Sequence, residues 1–282
     1  MKGRLAAGLA ALALVAGCNA MRVTYQHADT LLRWQATRYV DLRDEESDEL
    51  ADRIDGFLAW HREKALPQYE KIARDGARRL EKGLSPGDVN WGYDAFVAQA
   101  RESLRAAAEE IAPLLDRLDA RQAGQIERRF AEDNRKFERE NLRGSEKDRR
   151  KRRAKRTAER LEDWVGKLSK AQMERVRQYS DRAPLFDDLR ERDRKRLQGE
   201  FLAIVRAKEA TKRLPDLAVH LERGRSPAYV AAVDANRREY TSLLVDLDST
   251  LSPEQRSRAA ARLRAYADDF TALAADPRRA AR

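Results

Sequence analysis

The sequence has one cysteine, Cys18, among its 282 residues, so no disulfide can form within the chain. Its longest apolar run, Leu5 to Ala16, has 12 residues, whereas a membrane-spanning helix needs about 20. Sustained alternation of apolar and polar residues is missing and β-branched residues are few, which argues against a β-sheet protein. These absences leave a helical body that its apolar core must stabilise without cross-links.

The motifs of common catalytic sites are missing too. The sequence contains no Gly-x-Ser-x-Gly and no glycine-rich phosphate loop. Its three histidines, His27, His61 and His220, lie far apart, and none has a second histidine four residues later, which excludes a zinc pair on one helix. We therefore expect no enzymatic activity, no metal ion and no cofactor.

The N-terminus has the pattern of a cleavable export signal. Lys2 and Arg4 precede the apolar run, and Ala16 and Gly17 lead to Cys18. This pattern matches the bacterial lipobox, in which the cysteine receives a diacylglycerol and its freed amine is acylated, commonly with palmitate. The alternative is an ordinary signal peptide with an incidental cysteine. We expect residues 1–17 to be a signal peptide and residues 18–24 to be a lipidated tether.

The residue after the cysteine is Asn19, not the aspartate that retains such lipoproteins in the inner membrane. We therefore expect a periplasmic location at the outer membrane, held by acyl chains, because one chain alone binds only marginally. The six residues from Asn19 to Thr24 would reach at most about 20 Å, so the body should stay near the membrane. Export also argues against nucleic acid as a partner.

Apolar residues recur at helical spacing along the chain. One stripe, expected to face a core, comprises Phe96, Ala100, Leu104, Ala107, Ile111, Leu114 and Leu118. A second comprises Leu263, Tyr266, Ala267, Phe270, Leu273 and Ala274. We predict an all-α fold, an elongated antiparallel bundle of about ten helices. Residues 25–275 should form a single domain, and residues 276–282 a disordered tail.

Capping residues, prolines and glycines indicate where the helices start and end. Ser85, Ser226 and Ser252 each precede a proline, as an N-cap before a first-turn proline does. Pro67 should kink or break the segment from Asp44 to Lys82. Plausible helix terminators are Gly144, Gly166 and Gly224.

One phrase occurs three times: leucine, a capping residue, two further residues, and glutamine. It begins at Leu118, Leu168 and Leu251. A Ser or Asp N-cap with glutamine at the third helical position is a capping box. The phrase predicts three helix starts, and its unequal spacing rules out a strict solenoid.

Three stretches carry a family resemblance: Arg129 to Phe137 (RFAEDNRKF), Leu161 to Trp164 (LEDW) and Phe57 to Arg62 (FLAWHR). With the lipobox they resemble an uncharacterised family of Gram-negative lipoproteins, known only as a domain of unknown function. The resemblance extends from the signal to about Ala275. It implies an envelope lipoprotein and supplies no activity.

The repeated phrase is similar to the Leu-Thr-x-x-Gln mark of the spheroplast-protein family of periplasmic chaperones and stress sensors. This chain has Ser or Asp in place of the threonine and is about twice as long. The similarity implies a chaperone-like or adaptor module for exported proteins.

A dense basic run follows in the middle of the chain. It comprises Lys147, Arg149, Arg150, Lys151, Arg152, Arg153, Lys155 and Arg156. Repulsive i,i+4 pairs outnumber attractive ones there, by about 0.5–1 kcal/mol in sum, so a nearby anion would stabilise the run. The alternative is a solvated helix face. The formal net charge of +10 also favours anionic partners.

The anion could come from within the chain or from outside it. An acidic run comprises Asp41, Asp44, Glu45, Glu46, Asp48, Glu49 and Asp52. It could dock onto the basic run within one chain or between two, or simply complement the dipole of a helix start. Anionic lipid, lipopolysaccharide or cell wall is the external possibility. The oligomeric state stays open.

Asn134 interrupts an apolar helix face that includes Ile126, Phe130 and Phe137. A buried asparagine must find hydrogen-bond partners, so we expect a satisfied structural residue or one that fixes the register between two helices. The sequence as a whole predicts a non-catalytic binding module, with a structural tether for anionic envelope components as the alternative.

Overall fold

The computed structural model describes residues 21–275, and within that range it consists of α-helices with no β-strand. The eleven helices are α1 Ala28–Thr37, α2 Asp44–Trp60, α3 Leu66–Lys82, α4 Pro86–Leu115, α5 Ala120–Asn141, α6 Glu146–Val165, α7 Lys170–Arg182, α8 Asp187–Arg206, α9 Ala210–Val219, α10 Pro227–Asp248 and α11 Pro253–Ala274. This confirms the all-α bundle. None of these helices is both long and apolar enough to cross a membrane.

The predicted start signals and the predicted stop at Gly166 are confirmed. The side chains of Ser85, Ser226 and Ser252 each accept a hydrogen bond from the backbone N–H three residues on, and a proline opens each helix. Gly144, Gly166 and Gly224 have φ of 89°, 81° and 79°, a left-handed conformation that side-chain-bearing residues rarely adopt. Gly166 is the C-cap of α6, whereas Gly144 and Gly224 lie three and five residues beyond the ends of α5 and α9, in the connections that follow.

The predicted break at Pro67 takes the form of a π turn. Residues His61–Ala65 form one turn of π-helix between α2 and α3, closed by a bond from the Leu66 N–H to the His61 carbonyl. Proline lacks an N–H and cannot continue the α ladder, and a wider turn accommodates that gap without ending the segment. The segment from Asp44 to Lys82 is therefore continuous but interrupted.

The bundle has three buried apolar clusters. One joins α4, α5, α8 and α9 around Ala112, Ile126 and Ile204. A second joins α6, α7, α10 and α11 around Leu161, Val176 and Leu243. The third, around Leu50 and Leu114, seats α2 on α4. Helix α11 also packs along α3, and α9 along α4.

The expected core stripe on α4 is wrong in its first half. Phe96 is 57 % and Leu104 46 % exposed, whereas the stripe is buried further on, at Leu114 and Leu118. The buried positions between them are alanines, at 106, 108 and 112. Their small side chains let neighbouring helices approach the α4 backbone, and the larger residues lie beside that line of contact.

The second stripe is confirmed on α11, where Ala267 and Leu273 are buried and Tyr266 and Phe270 half-buried. The extended tether is partly corrected, because residues 21–26 are helical. Helical residues advance about 1.5 Å each, so this part of the tether spans less than an extended chain would. The predicted signal peptide, Cys18 and residues 276–282 lie outside the described residues.

Candidate anion-binding cleft

The basic run occupies the first half of α6, and its lysines and arginines lie on different faces. The lysines are spaced four residues apart and are exposed: Lys147, Lys151 and Lys155. The side chains of Arg149 and Arg150 are only 18 % and 22 % exposed. Because residues four apart share a helix face, the lysines form a solvent-facing stripe and the arginines turn toward the protein.

Two of these arginines cap the C-terminal end of α7. The Arg150 guanidinium donates to the carbonyl oxygens of Ser180, Asp181 and Ala183 at 2.8, 2.6 and 3.0 Å. Arg153 donates to the carbonyls of Ala183 and Pro184, each at 2.7 Å. The last carbonyls of a helix lack partners within it and carry the negative end of its dipole. The arginines supply both hydrogen bonds and compensating charge.

Arginines of α6 also bind the C-terminal end of α5. Arg156 donates to the Asn141 side-chain oxygen at 3.1 Å and to the Glu140 carbonyl at 3.4 Å, and Arg152 donates to the Arg143 carbonyl. Two helix C-termini thus meet the first half of α6. Their backbone carbonyls supply partial negative charge, a partner that was not predicted from the sequence.

Arg153 lies in a largely desolvated place. Its guanidinium sits 5.7 Å from the centroid of the Tyr179 ring, and burial lowers the pKa of Arg153. Burial also raises the pKa of the Tyr179 hydroxyl, which donates to the Asn236 side chain at 3.1 Å. Arginine stays protonated in proteins, so the fold holds a positive charge against an aromatic wall.

These side chains line an open cleft of about 420 Å³. Its lining comprises six arginines, two carboxylates and a set of rings and amides: Arg149, Arg152, Arg153, Arg156, Arg160, Arg190, Glu140, Asp187, Tyr179, Phe186, Tyr240, Asn141, Asn236 and Thr157. The Arg149–Asp187 pair is long, at 3.5 Å, and the buried Nε of Arg149 has no hydrogen-bond partner. Positive charge therefore exceeds negative charge in the cleft.

Arg160 and Arg190 are the cleft arginines with spare donors. Within residues 21–275 neither guanidinium has a hydrogen bond or an ion pair, and that of Arg190 lies 5.7 Å from the Phe137 ring centroid. The Tyr179 and Tyr240 rings meet edge to face, 5.5 Å apart. Guanidinium groups bind phosphate and carboxylate through paired hydrogen bonds. The cleft can thus hold an anion that also carries a ring or sugar.

Arg160, Arg190 and the cleft tyrosines were not predicted from the sequence, although part of the signal is present in it. Arg149, Arg153, Arg156 and Arg160 follow helical spacing on one face of α6. Separating arginines from lysines in the basic run would have revealed this stripe. The rings come from α7, α8 and α10, and no local pattern places them there.

The acidic run is bound locally rather than to the basic run. Asp44, Glu45 and Glu46 form the first turn of α2, where acidic side chains complement the helix dipole. Glu49 pairs with Arg53, at 3.2 Å, and with Arg117.

Asp41 approaches Arg121 at 3.8 Å, and Asp48 and Asp52 are exposed. Over the part of the chain that the structure describes, no hydrogen bond or ion pair joins residues 41–52 to residues 147–156. Docking of the two runs within one chain is therefore not formed, and docking between two chains stays a prediction.

Asn134 is buried between α5 and α8 with both ends of its amide bonded. It donates to Gln198 Oε1 at 2.7 Å and accepts from Arg194 Nε at 2.8 Å. The structure thus places it as a satisfied polar contact between two helices, which is the role that the apolar face around it suggested.

The capping glutamines hold helix starts together as well as capping them. The boxes at Asp119–Gln122, Ser169–Gln172 and Ser252–Gln255 are all formed. Beyond its own box, the Gln172 amide donates to the Thr250 carbonyl at 3.0 Å and to Gln255 Oε1 at 2.9 Å. Gln255 returns a bond to the Lys167 carbonyl at 3.1 Å. The starts of α7 and α11 are thereby cross-linked.

A similar set of glutamine bonds joins the starts of α2 and α5, and each such set is called a junction here. The buried Gln122 amide donates to the Asp41 carbonyl at 3.1 Å and to Glu46 Oε2 at 2.6 Å, and Glu46 accepts from the Arg43 N–H at 2.9 Å. In each junction the glutamine bonds the carbonyl two residues before the partner helix's cap. Leu42-Arg43-x-x-Glu46 is thus a fourth, divergent copy of the phrase, hidden by its Arg and Glu.

Within residues 21–275, no hydrogen bond or ring contact joins two of the three histidines. His61 stands in the π turn among the rings of Tyr25, Phe57, Trp60 and Tyr69, and its Nδ1 lies 2.9 Å from the Tyr25 hydroxyl. Burial, followed by the charge of Arg62, lowers the pKa of His61. Among residues 21–275 no group of three or more His, Cys, Asp and Glu is arranged to hold a metal ion.

A family model described as a family of unknown function (DUF6279) matches residues 38–230. No curated protein and no solved structure matches the chain.

Proposed function

Because the chain belongs to the DUF6279 family, whose function is unknown, we propose its role from its own residues. It is an exported lipoprotein, anchored by a lipid on Cys18 to the periplasmic face of the outer membrane, and it binds an anionic envelope component in the cleft beside α6. The role is one of binding rather than catalysis.

The observation that carries this proposal is the pair of arginines with spare donors at the mouth of a basic cleft. Most arginines of the run are engaged with helix ends, as the carbonyl contacts of Arg150 and Arg153 show. Arg160 and Arg190 face the same cleft without such partners in the described chain. Three rings beside them suit a sugar or other cyclic group. The ligand class is therefore a phosphate- or carboxylate-bearing glycan or lipid head group.

A charge-matched pair of variants tests the cleft. The mature chain with Cys18→Ser is incubated with lipopolysaccharide, with vesicles of phosphatidylethanolamine and phosphatidylglycerol, and with purified cell wall. Arg160→Glu combined with Arg190→Glu should reduce binding to one of these by roughly a hundredfold, since each charged hydrogen bond contributes about 1.5–3 kcal/mol. Cosedimentation measures the bound fraction.

The control is Lys151→Glu combined with Lys155→Glu, which changes the net charge equally on the exposed face of α6. It should reduce binding only by the general electrostatic effect. Equal loss in the two double variants would show a diffuse positive field rather than a site and would contradict the proposal.

The lipid anchor has its own test. Cys18→Ser in the full precursor should abolish incorporation of labelled palmitate and release the protein from the membrane fraction. Unchanged labelling and fractionation would remove the anchor and the outer-membrane assignment with it.

A chaperone-like or adaptor module for exported proteins is the second candidate. The observation that favours it is the apolar row on α4, where Tyr93, Phe96 and Leu104 are 49 %, 57 % and 46 % exposed. Exposed apolar patches often mark protein-binding surfaces. Phe96→Ser with Leu104→Ser should abolish any suppression of client aggregation in vitro, and a wild-type protein that suppresses none would discard this role.

A further inference from the structure

The N-terminal helix carries a concentration of exposed apolar side chains. Of the eight large hydrophobic residues that are exposed in residues 21–275, four lie between positions 23 and 34. They are Val23 at 51 %, Leu31 at 46 %, Leu32 at 39 % and Trp34 at 58 %. A scattered exposed leucine needs no explanation, but helical spacing places three of these residues, Val23, Leu31 and Trp34, on one face as a patch.

The inner side of this segment is fixed to the body, so the patch has a defined orientation. Tyr25 bonds His61, and Arg22 pairs with the buried carboxylate of Asp269 on α11. Ala28 and Ala36 pack against the apolar cluster around Leu50. The opposite side, with Leu31 and Trp34 three residues apart on one helix face, is left to the outside.

Chain length places the patch beside the proposed anchor. Cys18 precedes Met21, the first described residue, by three positions, a reach of at most about 10 Å. Whatever lipid surface holds Cys18 therefore lies next to α1. Among the described residues, chain length alone requires no other exposed large apolar side chain to lie near Cys18, since the next one in sequence is Tyr93.

The chemistry of the patch fits the interfacial layer of a bilayer. Tryptophan is enriched at the head-group level, where its ring is buried and its N–H stays hydrated. The Arg38 guanidinium lies 5.0 Å from the Trp34 ring centroid, and Arg33 is 44 % exposed on the same helix. These cations would meet anionic head groups while the apolar side chains enter the acyl boundary.

We propose that the outer face of α1 is a membrane-contact surface that lies in the interfacial layer of the lipid bilayer and fixes the orientation of the body on it. The proposal rests on the lipid anchor proposed above. The acyl chains of the anchor hold the protein at the membrane, and the face of α1 adds a second contact that sets how the body lies on it.

Trp34 provides the readout. The lipidated mature protein, with its lipid verified by mass spectrometry, is reconstituted into vesicles of phosphatidylethanolamine and phosphatidylglycerol with or without brominated acyl chains. The fluorescence assigned to Trp34, from the difference between the wild type and Trp34→Phe, should be quenched by bromine and protected from aqueous iodide. Trp91→Phe is the matched control and should leave the bromine quenching intact.

A second measurement removes the anchor. In the mature Cys18→Ser chain, Trp34→Ser should lower the vesicle partition coefficient roughly tenfold, as loss of one large buried side chain implies. Phe96→Ser, which changes a side chain of equal exposure on α4, should not lower it.

The outcomes separate the two proposals. A protein without lipid by mass spectrometry would overturn the anchor. A lipidated protein whose Trp34 is reached by iodide and not by bromine would overturn the membrane-contact surface alone. A dimer in detergent that Trp34→Ser dissociates would assign the face to a second copy of the chain and overturn it as well.

Discussion

Gln172 uses both ends of its side-chain amide to join two helix starts. It closes its own capping box with Ser169, where its Oε1 accepts at 3.0 Å, and its amide donates to Thr250 and Gln255 of the facing junction. Only 1 % of the residue is exposed, so water cannot replace these partners.

We expect Gln172→Ala to lower the free energy of unfolding by about 2–4 kcal/mol, because it removes a capping box and leaves the Thr250 carbonyl and the Gln255 amide without their partner. Gln178→Ala is the matched control on the exposed side of α7 and should change it by less than about 0.5 kcal/mol. Denaturant unfolding followed by circular dichroism measures both. Similar effects in the two variants would refute the special role of the junction.

The titration of His61 should make the free energy of unfolding depend on pH between about 7 and about 5. Burial lowers the pKa of His61 in the folded state from 6.5. Below pH 6.5, therefore, the unfolded chain binds more protons at this residue than the folded chain does. The free energy of unfolding should fall as pH drops from about 7 to about 5, by at most about 1.4 kcal/mol per unit. His61→Phe keeps a ring in the cluster and should flatten this slope.

The measurement is denaturant unfolding at several pH values, with the His61 imidazole titration followed by NMR. Asp88 acts in more acidic solutions, because side-chain and backbone bonds from Ser85 and the Arg79 contact lower its pKa to about 2. A His61 midpoint at or above 6.5 would contradict the expectation.

At this scale the sequence predicted what is local. A serine or aspartate with glutamine three positions on specifies a capping box through backbone geometry alone, and Ser169 and Ser252 behave accordingly. The box uses only the oxygen of the glutamine. The destination of the amide nitrogen depends on which helix start is packed opposite, and that is decided by the whole fold.

The arginines and the lysines of helix α6 have different roles. Its arginines bind the C-terminal carbonyls of α7 and α5, and its lysines face water. The repulsion that the basic run would suffer in isolation is thus offset by two helix dipoles. Counting charges within α6 indicated a need for negative charge but could not identify the end carbonyls of the two neighbouring helices as its source.

Arg153→Ala should therefore destabilise the protein although it removes an unfavourable neighbour of Arg149. We expect a loss of about 2–3 kcal/mol in the free energy of unfolding, from charged hydrogen bonds to carbonyls at a helix end. Lys155→Ala, which removes the same charge at an exposed site that pairs with Glu159 at 3.8 Å, should change it by less than about 0.5 kcal/mol. Thermal unfolding compares the two, and a stabilised Arg153→Ala variant would contradict the capping role.

The helix stripe on α11 was predicted correctly, since Ala267 and Leu273 are both buried. Phe96 on α4 was predicted wrongly because periodicity detects one apolar face without telling which side a long helix turns to its neighbours. The line of contact followed Ala106, Ala108 and Ala112 instead. Close approach of backbones selects small side chains, and hydrophobicity alone underrates them.

At the scale of the whole molecule, two equivalent junctions stabilise the bundle: Gln122 ties α5 to α2, and Gln172 ties α7 to α11. The three apolar clusters lie along them, and α4 connects the clusters. With 30 residues it is about 45 Å long. Its Ala112 belongs to the first cluster and its Leu114 to the third, while its earlier part packs on α3 and α10, which contribute to the second.

We predict that residues 25–275 unfold in a single transition, as one domain. Helix α4 couples the three clusters, because unfolding of α4 would expose apolar surface in each region that it contacts. Far-ultraviolet circular dichroism reports all helices, whereas the fluorescence of Trp164, isolated by difference from Trp164→Phe, reports the second cluster, against which it packs. The two denaturant curves should coincide in midpoint and slope. If Trp164 reported a midpoint well separated from that of the helical signal, the clusters would be independent units, and the chain would have to be divided within α4.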